Sequence, residues 1–449
     1  MPFNRPAVFV RSFRKKYPTA VRAEGVYIWD ESGNRYLDFA GSAAVNFIGH
    51  ADPEVSHAMA AQAEAVEFAH SSQFTTRIAE EFARELLEFT GYSGGCAYFT
   101  CGGSEAIETA LKLARQYQVE VGNRDRFEIL SREQAYHGST LGALAVSGNR
   151  RRRELYLPMV RDSARVAIPY CYRCKYACRD CGHAYAEEVE RVLDDRTRST
   201  AAFIFEPVSG ATLGAAVPPP GYLAKVSEIC SRRGVLTIAD EVMTGCGRTG
   251  RNLAAEHWNV TPDIVVLGKG IGSGYAPLGA VIAARHVVDA IDKGSGAFVH
   301  GFTYNAHPVA IAAGRRVLHR IAERELVRAA ASDVEATPGT CLKTQLCLLR
   351  DCRTVGDVRG IGLLWAVEFV KNKEMKTPFA ADVGFASRVS DAAANRGVML
   401  YPMQGCIDGL SGDHVLIAPP AVITSDEIIW AVARFREAIE EVETSVPLA

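Results

Sequence analysis

The chain has 449 residues, of which 48% are hydrophobic and 23% charged, an ordinary globular composition with room for two domains. Its formal net charge of −2 excludes a global positive field, so we expect no nucleic-acid partner and no anionic membrane surface. No apolar run approaches a membrane span and residues 1–16 lack a signal-peptide core, so we expect a cytoplasmic protein.

The first third of the chain changes from a strand pattern to a helical one. Apolar runs at 26–30 and 35–39 flank a turn sequence and predict a β-hairpin. Helical periodicity begins near Pro53 and is clearest over 78–89. A short strand at 96–100 is followed by glycines and a helical run over 105–117.

Strands and helices then alternate through the middle of the chain. Short apolar segments at 127–130, 201–205, 236–239 and 264–267 predict strands, and helical segments such as 223–233 separate several of them. This order predicts an α/β fold, with a mostly parallel sheet flanked by helices in a large domain. Ligands of such sheets bind at the carboxyl ends of the strands.

The pattern changes again after about Leu318. One long helix is predicted over 315–331, strands over 360–369 and 397–401, and an amphipathic closing helix over 424–442. We interpret this part as a smaller α+β domain built from both chain ends. The predicted boundaries are 1–55 for the N-terminal part of the small domain, 56–318 for the large domain, and 319–449 for the C-terminal part.

Lys269 stands in an apolar run between two glycines, at 265–270. A desolvated lysine amine titrates lower than usual and becomes nucleophilic, which imine chemistry with an aldehyde requires. The alternative is a lysine at a strand end that extends its amine to water.

Gly103 and Ser104 lie where a predicted strand ends and a helix begins. Free backbone N–H groups and the helix dipole make such an end an anion site, and glycine lets a phosphate approach the backbone. The alternative is a capping turn that binds no ligand.

Three further residues follow predicted strands. Tyr136 and His137 could present a flat ring to the same cleft, although an aromatic here is more often part of the core. Asp240 closes an apolar strand, where a carboxylate is costly unless it is paired, for example with a protonated ring nitrogen, a helix end or a structural cation. A lysine, an anion site, an acid and an aromatic wall together describe a pyridoxal-phosphate site.

The chain resembles the class III aminotransferases of the fold-type I pyridoxal-phosphate enzymes nearly end to end. The motifs that carry the resemblance are Gly103-Ser-Glu-Ala106, Tyr136-His-Gly138, Glu206-Pro-Val208, Ala239-Asp-Glu-Val242, Gly247-Arg-Thr-Gly250, Gly268-Lys-Gly270 and Phe302-Thr-Tyr304.

The resemblance implies a role for each matching residue. Lys269 and Asp240 would be catalytic, Lys269 through a Schiff base and proton transfer, and Asp240 by pairing with the pyridine nitrogen. The implied cofactor-binding residues are Gly103, Ser104, Tyr136, His137, Glu206, Asp240, Val242, Lys269 and Thr303. Thr303 would reach the phosphate of a neighbouring subunit, which implies a homodimer with cross-subunit sites.

The implied reaction moves an amino group from a small-molecule donor to a keto acid such as pyruvate or 2-oxoglutarate. Members of this family often bind α-carboxylates with an arginine before the Pro-Pro element, but residues 398–420 contain no arginine. We therefore expect an amine, diamine or ω-amino acid donor, with Arg151–Arg153 and Arg248 as candidate carboxylate contacts. A racemase, aminomutase or lyase of the same fold is the alternative.

Four cysteines form a second departure from the family pattern, at Cys171, Cys174, Cys178 and Cys181. The spacing between the two C-x2-C pairs is shorter than that of ordinary zinc sites. Four thiolates could bind one zinc, form a redox pair, or belong to an insertion loop with reduced thiols. A remote alternative is a metal or redox protein with a vestigial cofactor site.

Overall fold

The computed structural model describes residues 7–176 and 180–446. Its strands are β1 (Ala20–Glu24), β2 (Tyr27–Asp30), β3 (Arg35–Asp38), β4 (Cys96–Thr100), β5 (Glu128–Arg132), β6 (Arg165–Val166), β7 (Thr200–Phe205), β8 (Leu236–Asp240), β9 (Ile264–Leu267), β10 (Gly279–Ala283), β11 (Val355–Ile361), β12 (Leu364–Phe369), β13 (Val398–Met399), β14 (Tyr401–Gln404) and β15 (Asp413–Ile417).

The α-helices are α1 (Gly41–Ala44), α2 (Pro53–Ala65), α3 (Arg77–Thr90), α4 (Gly103–Glu120), α5 (Leu141–Val146), α6 (Arg150–Arg153), α7 (Cys181–Arg196), α8 (Tyr222–Arg232), α9 (Arg285–Lys293), α10 (Pro308–Glu323), α11 (Leu326–Ala330), α12 (Pro338–Cys347), α13 (Phe385–Ala394) and α14 (Ser425–Ser445).

The central sheet has seven strands in the order β4-β10-β9-β8-β7-β5-β6. The pairs from β9 through β8, β7 and β5 to β6 are parallel, whereas β10 runs antiparallel to both β4 and β9. Strands β7, β8 and β9 are buried along their whole length, as expected for strands covered by helices on both faces. The predicted α/β fold of type I is therefore confirmed.

The remaining strands form two four-stranded sheets. One has the order β1-β2-β3-β13, and Val398 pairs in parallel with Leu37, so the two chain ends share a sheet. The other has the order β11-β12-β15-β14 and is antiparallel throughout. The domain boundaries at 55/56 and 318/319 remain a prediction.

Three predicted elements differ from the structure. The strand expected over 360–369 is divided at 362–363 into the end of β11 and β12, and the strand expected over 397–401 contains β13 and the start of β14. The single helix expected over 315–331 is two helices, α10 and α11, because Glu325 adopts a left-handed φ of 50° between them. The preceding residue, Arg324, forms an ion pair with the buried Asp52 at 2.8 Å, so a tertiary contact lies at the break. Within the described ranges, the structure contains no helix whose length and hydropathy would let it cross a membrane.

Candidate active site

Lys269 follows the buried strand β9 directly after Gly268. A Cβ at Gly268 would lie 3.1 Å from Val242 Cγ1 and 3.4 Å from Gly103 Cα, so a larger residue would crowd both neighbours. Lys269 adopts a left-handed φ of 45°. Burial lowers the pKa of its amine from 10.5 to about 8, although Asp240 and Glu206 act in the opposite direction. The lysine therefore has a neutral, nucleophilic form within reach of physiological pH.

Asp240 ends strand β8 and forms a buried pair with His137. His137 Nδ1 lies 2.7 Å from Asp240 Oδ2, and the other carboxylate oxygen accepts a hydrogen bond from the Val242 N–H at 3.1 Å. The His137 N–H donates to Ser147 Oγ at 2.9 Å, which fixes the loop that carries the ring. The Asp240 carboxylate is thus held in one orientation by a side chain and a backbone group.

The N-terminus of α4 forms the opposite end of the site. Gly102 caps this 18-residue helix without a side-chain hydrogen bond, so N–H groups of its first turn are free for an anion. Ser104 Oγ accepts a hydrogen bond from the Ser139 N–H at 3.0 Å. A Cβ at Gly103 would lie 3.0 Å from Val242 Cγ1, and one at Gly138 would lie 2.5 Å from Ser104 Oγ. These glycines keep a cradle open beside the helix end.

Glu206 is buried beneath the loop that carries Tyr136. Its carboxylate accepts hydrogen bonds from the N–H groups of Gly210 at 2.8 Å and Tyr136 at 3.3 Å. Burial raises the pKa of Glu206, an effect that the His137 side chain partly offsets. The Tyr136 hydroxyl lies 3.1 Å from Ser139 Oγ. Glu206 therefore fixes the backbone of the aromatic residue. Its main-chain carbonyl accepts a hydrogen bond from the buried Arg132 guanidinium, but among the described residues its carboxylate forms no ion pair with an arginine.

A cavity of about 180 Å³ joins these groups. Eight of the nine residues expected at the cofactor line it: Gly103, Ser104, Tyr136, His137, Glu206, Asp240, Val242 and Lys269. The ninth, Thr303, lies exposed in a loop and is not part of this lining. The sequence analysis missed five lining residues, Gly138, Val208, Ala211, Met243 and Thr244. Gly138 and Val208 belong to motifs quoted above, and Met243 and Thr244 directly follow one. Their position in or beside a motif was therefore the sequence signal that could have identified them, whereas Ala211 has no such signal.

The residues fit a phosphorylated pyridine aldehyde. The cavity holds an amine with a lowered pKa, a carboxylate fixed by a histidine, and a helix N-terminus with a glycine cradle. His137 Nε2 is buried and has no hydrogen-bond partner among the described residues. An aldehyde, a ring nitrogen and a phosphate each find a chemically suitable partner in this set.

Residues 11–439 match the model of the family described as aminotransferase class-III. The chain belongs to the class III aminotransferases. An uncharacterised aminotransferase of Bacillus subtilis is 37% identical over 433 residues, which are 96% of this chain and 96% of the relative. The mitochondrial gamma-aminobutyrate transaminase 1 of Oryza sativa subsp. indica is 31% identical, with 95% and 81% covered.

Solved structures agree with this assignment to the class III aminotransferases. An (S)-enantioselective omega-transaminase from Thermomicrobium roseum superposes with a TM-score of 0.88 at 34% identity, covering 96% of this chain and 93% of that one. An amine transaminase from an uncultivated Pseudomonas species, solved with pyridoxal phosphate, also gives 0.88, at 33% identity with 98% and 99% covered. Membership confirms the predicted aminotransferase activity and the dependence on pyridoxal phosphate.

The cysteine cluster of this class III aminotransferase lies apart from the cavity. Cys171 and Cys174 lie near Cys181, and burial together with these two thiols raises the pKa of Cys181 to about 11. Cys178 lies outside the described residues. Within 7–176 and 180–446 no group of three or more His, Cys, Asp and Glu side chains could hold a metal ion. The described residues therefore give the zinc alternative no support.

Arg248, one of the candidate carboxylate contacts, is a structural residue. It is buried, and it donates hydrogen bonds to the carbonyls of Asn46 at 2.8 Å, Ala418 at 3.1 Å and Pro419 at 2.5 Å. Its guanidinium also lies 4.9 Å from the centroid of the Phe47 ring. Arg248 links the segment at 418–419 to Asn46 in the N-terminal part of the chain. Its guanidinium is occupied by these carbonyls and is not available to a substrate carboxylate.

Proposed function

We propose that the enzyme transfers the amino group of an amine, diamine or ω-amino acid to a keto acid such as pyruvate or 2-oxoglutarate. One observation carries the proposal. The Lys269 cavity is lined by two carboxylates, Asp240 and Glu206, and by no arginine among the described residues. Apart from Lys269, no side chain in this lining offers a cation to an α-carboxylate, so a donor that carries one gains no ionic advantage there over an amine that does not.

Relatives with known substrates support this donor class. A gamma-aminobutyrate transaminase, whose substrate is an ω-amino acid, is among the similar proteins, and solved neighbours are described as omega- and amine transaminases. The likeness extends over nearly the whole chain in each case. A donor without an α-carboxylate is therefore consistent with both the cavity and the relatives.

In this proposal each residue of the cavity has one task. The N-terminus of α4, with Gly103 and Ser104, holds the phosphate through backbone N–H groups and a hydroxyl. Asp240, oriented by His137, holds a proton on the ring nitrogen. Tyr136 and Val242 form walls for a flat ring, and Glu206 fixes the backbone of Tyr136.

Pyridoxal phosphate, when bound, supplies an aldehyde that takes up the amino group and a protonated ring that accepts an electron pair. Lys269 would hold the aldehyde through its amine and would be freed when the donor amine takes its place. The freed amine, whose pKa is lowered to about 8, would carry a proton from the donor carbon to the cofactor. The lowered pKa favours this role, because a larger fraction of the amine is neutral near pH 7 than in an ordinary lysine.

We also propose a homodimer and a reducing, cytoplasmic compartment. Support for the dimer is the position of Thr303, which lies exposed and outside the lining of its own subunit's cavity. Support for the compartment is that the described cysteines are all free thiols.

A donor panel tests the proposed function. The holoenzyme is mixed with hexylamine, 6-aminohexanoate or alanine without a keto acid, and the absorbance change from the aldehyde to the amine form of the cofactor is followed. We expect the first two to react faster than alanine, and added keto acid to restore the aldehyde form. Failure of both hexylamine and 6-aminohexanoate to react would contradict the donor class. Carbonyl product in excess of one equivalent per active site, formed without a keto acid acceptor, would contradict the transfer.

A further inference from the structure

Helix α6 consists of four consecutive arginines, three of which contact a side-chain oxygen acceptor. Arg150 pairs with Glu154 at 2.9 Å, and Arg153 is buried against Asp162. Arg151 donates a hydrogen bond to Gln404 Oε1 at 2.7 Å. The Arg152 guanidinium has no carboxylate partner among the described residues. Arg152 is therefore the member of this helix whose guanidinium has neither a carboxylate nor an amide oxygen as a partner among the described residues.

Arg152 lies beside the Lys269 cavity. Its guanidinium lies 4.6 Å from the centroid of the Tyr136 ring, and Nη2 lies 3.9 Å from Met403 Sδ. It lines a second cavity of about 440 Å³, whose other walls include Leu141, Leu144 and Met159. Tyr136 lines both cavities. The guanidinium and the lysine thus occupy adjoining spaces that share one aromatic wall.

The charges of Arg152 and Lys269 also influence each other. The positive charge of Arg152 contributes to the lowering of the Lys269 pKa, after burial and together with Arg248. A half-buried guanidinium that stacks on an aromatic ring keeps its planar edge available for two parallel hydrogen bonds to a carboxylate. Since Arg152 lacks an acidic partner within 7–176 and 180–446, an acidic ligand would both pair with its guanidinium and offset its positive charge near Lys269.

We propose that Arg152 binds a substrate carboxylate that an apolar chain separates from the reacting carbon. A carboxylate bonded directly to that carbon would remain in the Lys269 cavity, which Arg152 does not line. A carboxylate several bonds away can pass Tyr136 into the second cavity, where Leu141, Leu144 and Met159 contact the intervening methylene groups. This inference rests on the proposed function and specifies its donor as an ω-amino acid.

The test compares two donors that differ only in the distal group, 6-aminohexanoate and hexylamine. In the wild-type holoenzyme we expect a higher kcat/KM for the acid. Arg152→Gln should lower the ratio of the two kcat/KM values on the order of 100-fold, because a charge-assisted bidentate contact is lost. Arg152→Lys should retain part of the ratio. Arg151→Gln, a neighbour on the same helix that contacts Gln404, is the matched control and should leave the ratio unchanged.

A binding measurement supplies a second readout that does not depend on turnover. Hexanoate, which has no amino group, is titrated into each holoenzyme by calorimetry, and we expect Arg152→Gln to weaken its binding strongly while Arg151→Gln does not. An unchanged hexanoate affinity, or an equal loss with both donors, would overturn the role of Arg152. If the wild-type enzyme reacted with neither donor, the proposed function itself would fail, whatever the variants show.

Discussion

Lys269 combines an unusual amine with an unusual backbone. A left-handed φ at a residue with a side chain costs of order 1–3 kcal/mol and persists only when surrounding contacts impose it. Here the Lys269 carbonyl accepts hydrogen bonds from the N–H groups of Ser273 at 2.8 Å and Gly272 at 3.1 Å. The backbone is thus held at the position that directs the amine into the cavity, at the cost of strain and desolvation.

The lowered lysine pKa makes uptake of the cofactor pH-dependent. Only the neutral amine attacks an aldehyde, so the rate at which the apoenzyme takes up pyridoxal phosphate should rise with pH and level off above about 8, the pKa of Lys269. Below that pH the rate should fall as the amine gains a proton. Stopped-flow absorbance across the neutral and alkaline range measures the midpoint. A midpoint near 10.4, the value for an ordinary lysine, would show that the amine is not desolvated.

At the scale of elements, two turns between strands each contain a glycine with a positive φ, but the space around the two glycines differs. Gly33, between β2 and β3, has a φ of +84° and open space where a Cβ would lie. Gly362, between β11 and β12, has a φ of +62°, and a Cβ there would overlap the backbone of Thr249. The next residue, Leu363, donates its N–H to the Arg248 carbonyl at 3.0 Å. The second turn therefore docks a small sheet onto the loop between β8 and β9.

Alanine substitutions at Gly33 and Gly362 separate the penalty of a left-handed backbone from the penalty of steric overlap. Gly33→Ala should cost about 1–2 kcal/mol of unfolding free energy, which is the penalty of left-handed backbone alone. Gly362→Ala should cost a further ~1–3 kcal/mol, because the Cβ also overpacks against Thr249. Urea unfolding monitored by circular dichroism gives both values. Equal losses in the two variants would mean that the contact with Thr249 relaxes freely.

The same elements explain which parts of the fold could be predicted. The hairpin of β2 and β3 and the buried strands β8 and β9 have strong local signals, because a turn sequence or a continuous apolar run defines them. The break between α10 and α11 has no local signal, since no glycine or proline lies at 323–326. The break coincides instead with the ion pair of Arg324 and Asp52, residues far apart in the chain.

The candidate site likewise has residues that the sequence predicts and contacts that it does not. Lys269, Asp240 and Gly103 could be assigned to one candidate site because each lies at or just after the end of a strand, and the fold brings strand ends together. The pairing of His137 with Asp240 could not be found, since it joins side chains 103 positions apart. Similarly, the sequence offered four arginines in a row, and only the packing of α6 distinguishes Arg152 from its neighbours.

At the scale of the whole molecule, the loop that contains Thr303 has an exposed apolar surface. Val299 is 83% exposed and Tyr304 is 57% exposed. Thr303 is also exposed and lies outside the cavity of its own chain. Exposed apolar side chains beside a predicted ligand residue are expected at a subunit interface. We therefore expect two copies to associate through this loop, with Thr303 of each at the phosphate of the other.

Mixed dimers of two defective subunits test this arrangement. Lys269→Ala removes the anchoring amine, and Thr303→Asp places a negative charge where a phosphate is expected, so each homodimer should fail to form the amine form of the cofactor. If Thr303 acts across the interface, a mixed dimer has one site with both defects and one site with neither, and co-expression should restore activity. If Thr303 acts within its own subunit, each site keeps one defect and no activity returns, because neither subunit can supply what the other lacks.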